Sequence, residues 1–199
     1  MKLYLNKASP YARLVLVVAH EKSLSDRIEL VWTDPWQSRD ELLNVNPFSK
    51  VPALVVGEET LIESGCICDY LDSVGGGRSL LPSAGTGPRA ALVKCGWGRA
   101  LIDAAFGTVI ERRFAAAGSR SELGERWLAA TKRALPVLEI EAGRLESAAP
   151  DLGDLAIAVG LSYIDFRLPE IEWRAGHARL ATWFEALSAR PSMRQTAPE

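Results

Sequence analysis

The 199-residue sequence holds three cysteines and two histidines. An odd set of cysteines in a chain this long does not make a disulfide framework. His20 and His177 share no ligand spacing with the cysteines or with each other, so no metal site is expected. No apolar run approaches the roughly 18 residues of a membrane span. The opening residues MKLYLNKASPY lack the apolar core of a secretory leader, which makes the cytoplasm the expected location. An excess of one charge is missing too: 23 Lys+Arg stand against 25 Asp+Glu, a net charge of −2. Such a balance argues against a nucleic-acid partner held by electrostatics. Hydrophobic residues make up 48% of the chain, too many for a disordered one.

What is present divides the chain in two. Residues 2–6 and 28–32 read as strands, with a helix over 11–21 between them, where Leu14, Val15, Val17 and Val18 recur at helical spacing. Residues 34–46 read as a loop with at most a short helix over 39–44. Residues 53–56 and 60–62 flank Gly57-Glu58-Glu59 as a hairpin. A helix follows over 64–74, with Cys66, Ile67, Tyr70 and Leu71 on one face. Gly75-Gly76-Gly77 stops it, and residues 82–88 are dense in turn formers. Beyond them strand patterns vanish. Helices are expected over 89–117, 121–147 (kinked at Pro136), 154–166 and 177–189. The domains are therefore 1–78, a linker at 79–88, and an all-helical 89–199.

Two segments of the first domain carry the chemistry. Ser9-Pro10-Tyr11-Ala12-Arg13 stands at a strand-to-helix turn. Asn46-Pro47-Phe48-Ser49-Lys50-Val51-Pro52-Ala53-Leu54 is followed, after the hairpin, by Leu61-Ile62-Glu63-Ser64. With these motifs at this spacing, and the helices behind them, the chain resembles the glutathione transferase superfamily over nearly its whole length. The Ser-Pro-Tyr opening and Arg190-Pro191-Ser192-Met193 near the end resemble a bacterial branch of it. The resemblance implies an α/β thioredoxin-like N-terminal domain (βαβ-ββα) followed by an all-α helical bundle. It also implies a homodimer that uses glutathione as cosubstrate, without a metal, and joins it to a small hydrophobic electrophile. A non-catalytic binding protein on the same scaffold is the rival reading. A glutathione-dependent isomerase, dehalogenase or peroxidase is another.

Ser9 is the candidate catalytic group. A free thiol, with a pKa near 8.5, is only about 3% thiolate at pH 7. A hydroxyl donor at a helix start, aided by the dipole, stabilises the thiolate. A shift of about two pKa units, roughly 2.7 kcal/mol, makes most of it thiolate. The plainer reading is that Ser before Pro caps a helix in any protein. Tyr11 is the alternative donor, and Tyr4, inside the first strand, ranks behind it. With Ser rather than Cys at position 9, thiol–disulfide exchange lacks its attacking sulfur.

The remaining glutathione-binding candidates are Lys50, Val51, Pro52, Glu63 and Ser64. Pro52 reads as a strand starter or, by the resemblance and preferred here, as a cis proline that turns the Val51 backbone toward a peptide ligand, which pairs with it like an added strand. Ser64 is expected to cap the following helix, whose N–H groups suit the γ-glutamyl carboxylate. Glu63 would accept from the α-ammonium or orient the backbone. Lys50 would offer a cation to the glycyl carboxylate or act only through its backbone. Cys66, Cys68 and Cys95 read as small buried hydrophobes. Asp151-Leu152-Gly153-Asp154 looks like the family's capping box, with a role in folding. Asp165 and Arg167 read as an interior ion pair or cap. Tyr11, Trp97, Asp103 and Phe106 are the candidates for an acceptor pocket between the domains. The last three lie on a stripe with Leu101 and Ile110 that equally describes core or a dimer interface.

Overall fold

The computed structural model describes residues 1–37, 39–81, 87–115 and 121–198, with backbone alone for residues 87 and 88. They form two compact units, Met1–Pro82 with Pro191–Glu199, and Ser83–Arg190. The turn-rich stretch 82–86 and the expected helix end at 116–117 lie outside the described residues.

In the first unit β1 (Lys2–Leu5), α1 (Pro10–Glu21), β2 (Glu29–Trp32), α2 (Asp40–Val45), β3 (Ala53–Val56), β4 (Glu59–Ile62) and α3 (Ser64–Val74) follow one another. The sheet runs β2-β1-β3-β4, with β1 parallel to β2 and antiparallel to β3, and β3 antiparallel to β4. Successive strand residues face opposite sides, and the packing follows that alternation. Val31, Tyr4, Ala53 and Ile62 form one row across the four strands. All four pack with Leu42, Val45, Val51 and Val55 beneath α2. Leu3, Leu5 and Leu54, wholly buried, point the other way, to the side where α1 packs on α3. On α3 the buried residues are Ser64, Ile67, Cys68 and Leu71. Cys66, expected on that face, is exposed, and Cys95 in the second unit is half-buried; only Cys68 is the buried hydrophobe the sequence suggested.

A buried ion pair closes the far end of this unit. Lys22 Nζ lies 2.9 Å from Asp72 Oδ1, with side chains 2% and 7% exposed, and donates to Arg78 O at 2.9 Å. Asp72 also accepts from Leu80 N–H at 2.8 Å and Leu81 N–H at 3.0 Å. Burial works to raise the Asp72 pKa, but these donors outweigh it and hold the carboxyl below its usual range.

The second unit contains α4 (Gly87–Phe114), α5 (Glu122–Glu141), α6 (Leu152–Arg167) and α7 (Ala178–Ser188). The helical pattern read over 121–147 stops as α5 at Glu141, where a tight turn begins. The central α6 is buried almost all round, as its near-continuous apolar run requires. Glycines set its approach to α4. A Cβ on Gly153 would come 2.3 Å from Lys94 Cβ, and one on Gly98 would come 2.5 Å from Ala156 Cβ. Asp165 does not pair with Arg167. It accepts from Trp173 Nε1 at 2.7 Å and binds the Arg174 fork at 2.6 and 2.8 Å, because the turn after α6 carries those residues back over it.

After α7 the chain returns to the first unit as α8 (Pro191–Gln195). The helical domain read from the sequence as 89–199 therefore loses its last nine residues. Apolar pattern alone could not assign so short a segment to one side or the other.

Candidate functional site

The strand directions gather three candidate segments at one end of the sheet. The chain leaves β1 and β4 there, and it enters β3 there. Beyond the row Val31–Tyr4–Ala53–Ile62, the next positions along the chain are Trp32, Leu5, Pro52 and Glu63. The turn carrying Ser9, the loop carrying Lys50–Pro52 and the start of α3 thus share one rim of the first unit.

Asn6 builds the first of these segments. Its Oδ1 accepts from Ala8 N–H at 3.0 Å, its carbonyl accepts from Ser9 N–H at 3.1 Å, and its Nδ2 donates to Thr33 O at 3.2 Å. Ser9 then sits in extended backbone, φ −83° and ψ 117°, as the N-cap of α1 with Pro10 in the first helical position. Its Oγ accepts from Ala12 N–H at 3.2 Å. Capping uses a lone pair of the hydroxyl, so the O–H proton stays available to donate elsewhere. Tyr11 follows, half-buried, while Tyr4 is 8% exposed in the core below.

Asn46 builds the second segment. It is 2% exposed, donates from Nδ2 to Lys50 O at 2.8 Å and accepts from Phe48 N–H at 3.1 Å. Ser49, at φ 50°, ties this loop to the neighbouring one by donating to Pro35 O at 2.8 Å. The Val51–Pro52 peptide bond is cis, as preferred from the resemblance. Val51 is 9% exposed, and among the described residues its backbone N–H and C=O take no hydrogen-bond partner. The backbone of Val51 therefore has both its donor and its acceptor uncommitted within the fold. The Lys50 side chain is exposed.

At the third segment the structure corrects one reading. Ser64 does not cap α3: it is the first helical residue, 3% exposed, and Glu63 is the N-cap. Glu63 stands at φ 67° and ψ 123°, and its side chain makes no capping bond to the helix. A non-glycine residue in that region costs about 1–3 kcal/mol and is commonest where function requires the geometry. The first N–H groups of α3 have no partner one turn back and meet the rim with the positive end of the helix dipole.

Four residues here escaped the sequence reading. Asn6 and Asn46 organise both loops, and their signal was Asn among loop residues, a side chain that folds its own backbone. Trp32 and Trp36 were read as strand and loop, yet they stand 51% and 45% exposed, with Lys7 Nζ 5.8 Å from the Trp32 ring centroid.

The other acceptor candidates lie on α4. Trp97 and Phe106 are half-buried. Asp103 is no core oddity: Arg99, one turn earlier, donates to both its oxygens at 2.9 and 3.1 Å. The buried face of α4 runs instead through Ala91, Leu101, Ile102, Ala105 and Thr108. Among the described residues no three His, Cys, Asp or Glu side chains come together as for a metal ion. Among the described residues no helix is long and apolar enough to cross a membrane.

The family model described as the glutathione S-transferase N-terminal domain matches residues 8–74. A glutathione transferase family member from Pseudomonas fluorescens Pf-5, solved with bound glutathione, is 33% identical. The match covers 100% of this chain and 98% of that one, with a TM-score of 0.93. The uncharacterized GST-like protein YibF of Escherichia coli K12 is 28% identical, with 100% and 98% of the two chains covered. Glutathione S-transferase 3 of Zea mays is 27% identical over 98% of this chain and 92% of its own. With the sheet order, the cis proline and end-to-end similarity in agreement, the chain belongs to the glutathione transferase superfamily.

Proposed function

We propose that the rim of the first unit binds glutathione, holds it as the thiolate, and presents it to a small hydrophobic electrophile. The observation that carries this reading is the unpartnered backbone of Val51 beside cis-Pro52, between the Ser9 turn and the start of α3. A peptide laid along Val51 completes that backbone pairing as an extra strand. Its γ-glutamyl carboxylate then meets the α3 N–H groups next to Ser64, and Glu63 accepts from the α-ammonium. Lys50 answers the glycyl carboxylate, and the thiol lies at the start of α1.

In the reaction the thiol loses its proton to solvent while the Ser9 hydroxyl donates to the sulfur. The thiolate attacks an electrophilic carbon, a C–S bond forms, and the leaving group departs with its electron pair. Ser9 is never a nucleophile, so it needs no histidine or carboxylate beside it. The protein's contribution is placement, which raises effective concentration, and a larger thiolate fraction. Tyr11 is the second candidate donor.

We further propose a cytoplasmic homodimer. Supporting it, α4 exposes an apolar strip in which Leu92 is 62% and Val93 55% exposed, with Gly96 and Ala100 on the same open face. Calorimetric titration with glutathione, followed by mass analysis of conjugates across alkyl, aryl and epoxide electrophiles, tests the function. The reading expects saturable binding and at least one thioether product. Absence of binding would leave a transferase-shaped scaffold with another role.

A further inference from the structure

Arg13 is the least expected residue of α1. It lies one turn beyond Ser9 and is 7% exposed. Burial lowers its guanidinium to about 10, which leaves it charged at neutral pH. A buried charge is costly unless it is held by hydrogen bonds. Arg13 is held at the other end of the chain: Nη2 donates to the carbonyl of Met193 at 3.3 Å. Its backbone N–H donates to Ser9 O at 3.0 Å, which closes the turn that Ser9 caps.

A second contact repeats the arrangement eight residues later. Ser192 Oγ donates to Glu21 Oε1 at 2.5 Å. Arg13 and Glu21 are about 12 Å apart along the helix axis, so α8 is fastened near both ends of α1. Five residues have no helical stability of their own, yet Ser192, Met193 and Thr196 are 4%, 2% and 8% exposed. The segment is a fitted part of the first unit.

We infer that Arg13 and α8 are positioning elements for Ser9: they fasten the first turn of α1 to the C-terminal segment and so fix the direction of its hydroxyl. The inference rests on the glutathione reading of Ser9 and extends it to residues more than 180 positions away. Packing of α8 alone would support stability and leave the thiol unaffected. Positioning reaches the thiol, because an O–H that donates to sulfur must keep its direction while its oxygen accepts from Ala12 N–H.

The experiment compares full-length wild type with Arg13→Met, Arg13→Lys and Ser192→Ala. It reads the pH midpoint of thiolate absorbance in glutathione-saturated protein. It also reads glutathione affinity at a pH where the thiol is protonated, and amide exchange at Ala12. Arg13→Met is expected to raise the midpoint by about one unit, which lowers the thiolate fraction about threefold at pH 7 and about tenfold only at pH well below both midpoints, and to speed Ala12 exchange. Affinity for the protonated ligand should change by less than about threefold. Arg13→Lys, which keeps the charge and a donor, recovers part of the shift. Ser192→Ala moves the midpoint in the same direction by less. An unchanged midpoint in Arg13→Met overturns the inference and leaves the glutathione reading standing. Wild type that does not bind glutathione, or binds it with an unshifted midpoint, overturns both. If Arg13→Met does not fold, Ser192→Ala and Glu21→Gln decide by the same readouts, and unchanged values in both overturn the inference.

Discussion

The starts of α3 and α6 put one physical device to opposite uses. Each helix begins with N–H groups that lack a partner one turn back. At α6 the chain supplies the acceptors itself. Asp151 accepts from Asp154 N–H, and Asp154 accepts from Asp151 N–H, both at 3.0 Å. Lys94 bridges the two carboxylates, 2.6 Å from Asp151 and 2.8 Å from Asp154. Asp154 is wholly buried. At α3 the N-cap is Glu63, turned to positive φ, and its side chain does not close the helix. The closed start serves folding of the second unit. The open start faces the rim that holds Ser9 and Val51. Sequence chemistry alone does not make a helix start a binding site; what the preceding residue does with the N–H groups decides it.

The closed start should answer most strongly to substitution. Asp154→Ala leaves Lys94 and the first turn of α6 with a missing partner inside the core, and should destabilise the second unit by about 3–5 kcal/mol. Urea unfolding followed by tryptophan fluorescence reads it, and a loss below about 1 kcal/mol would mean the box is incidental. Gly153→Ala comes next. Its Cβ would lie 2.3 Å from Lys94 Cβ and 2.7 Å from Cys95 N, and since backbone cannot give easily, about 1–3 kcal/mol should be lost.

The open start should answer in the reverse sense. Ser64→Ala is expected to leave the unfolding midpoint nearly unchanged while glutathione affinity falls about tenfold, or 1.4 kcal/mol. Normal affinity with slow turnover at saturation would contradict that assignment.

A third helix start gives the smallest effect. Glu139 of α5 reaches over to α7 and accepts from Arg179 N–H at 3.2 Å and Leu180 N–H at 2.8 Å. Burial works to raise its pKa, but these donors and the Arg179 side chain prevail and hold it below the usual glutamate range. A depressed folded pKa stabilises the unit above the ordinary glutamate value and loses that stability as pH falls through the folded value. Glu139→Gln should therefore cost about 0.5–1 kcal/mol at neutral pH and nothing once pH is below both values. Equal losses at pH 7 and below pH 3 would show that the charge is not responsible.

These starts also show how far the sequence could be read. Asp151 and Asp154 were legible because a capping box is local, four residues with a fixed pattern. Lys94 was not, since it arrives from another helix through the close approach that Gly153 permits. The alternating first domain, the hairpin, and Ser9 ahead of Pro10 were legible for the same local reason. Ser64 was misread by one position because the capping assignment depends on the φ of Glu63, which residue type does not reveal. Asp165 with Arg174, and Arg13 with Met193, join segments whose meeting is set by the folded chain and leaves no periodic trace. The motif around Pro52 was legible only through resemblance. Its physical content, a Val51 backbone without a partner, emerges from the fold.

The most direct test of the central claim is the pH titration of thiolate absorbance in glutathione-saturated wild type beside Ser9→Ala. The account predicts a wild-type midpoint well below that of free glutathione. It predicts a return toward the free value in Ser9→Ala, with stability lowered by only about 1 kcal/mol for the lost cap. A low midpoint that survives in Ser9→Ala would move the donor to Tyr11 or a backbone N–H. A wild-type midpoint no different from that of free glutathione would contradict the account itself.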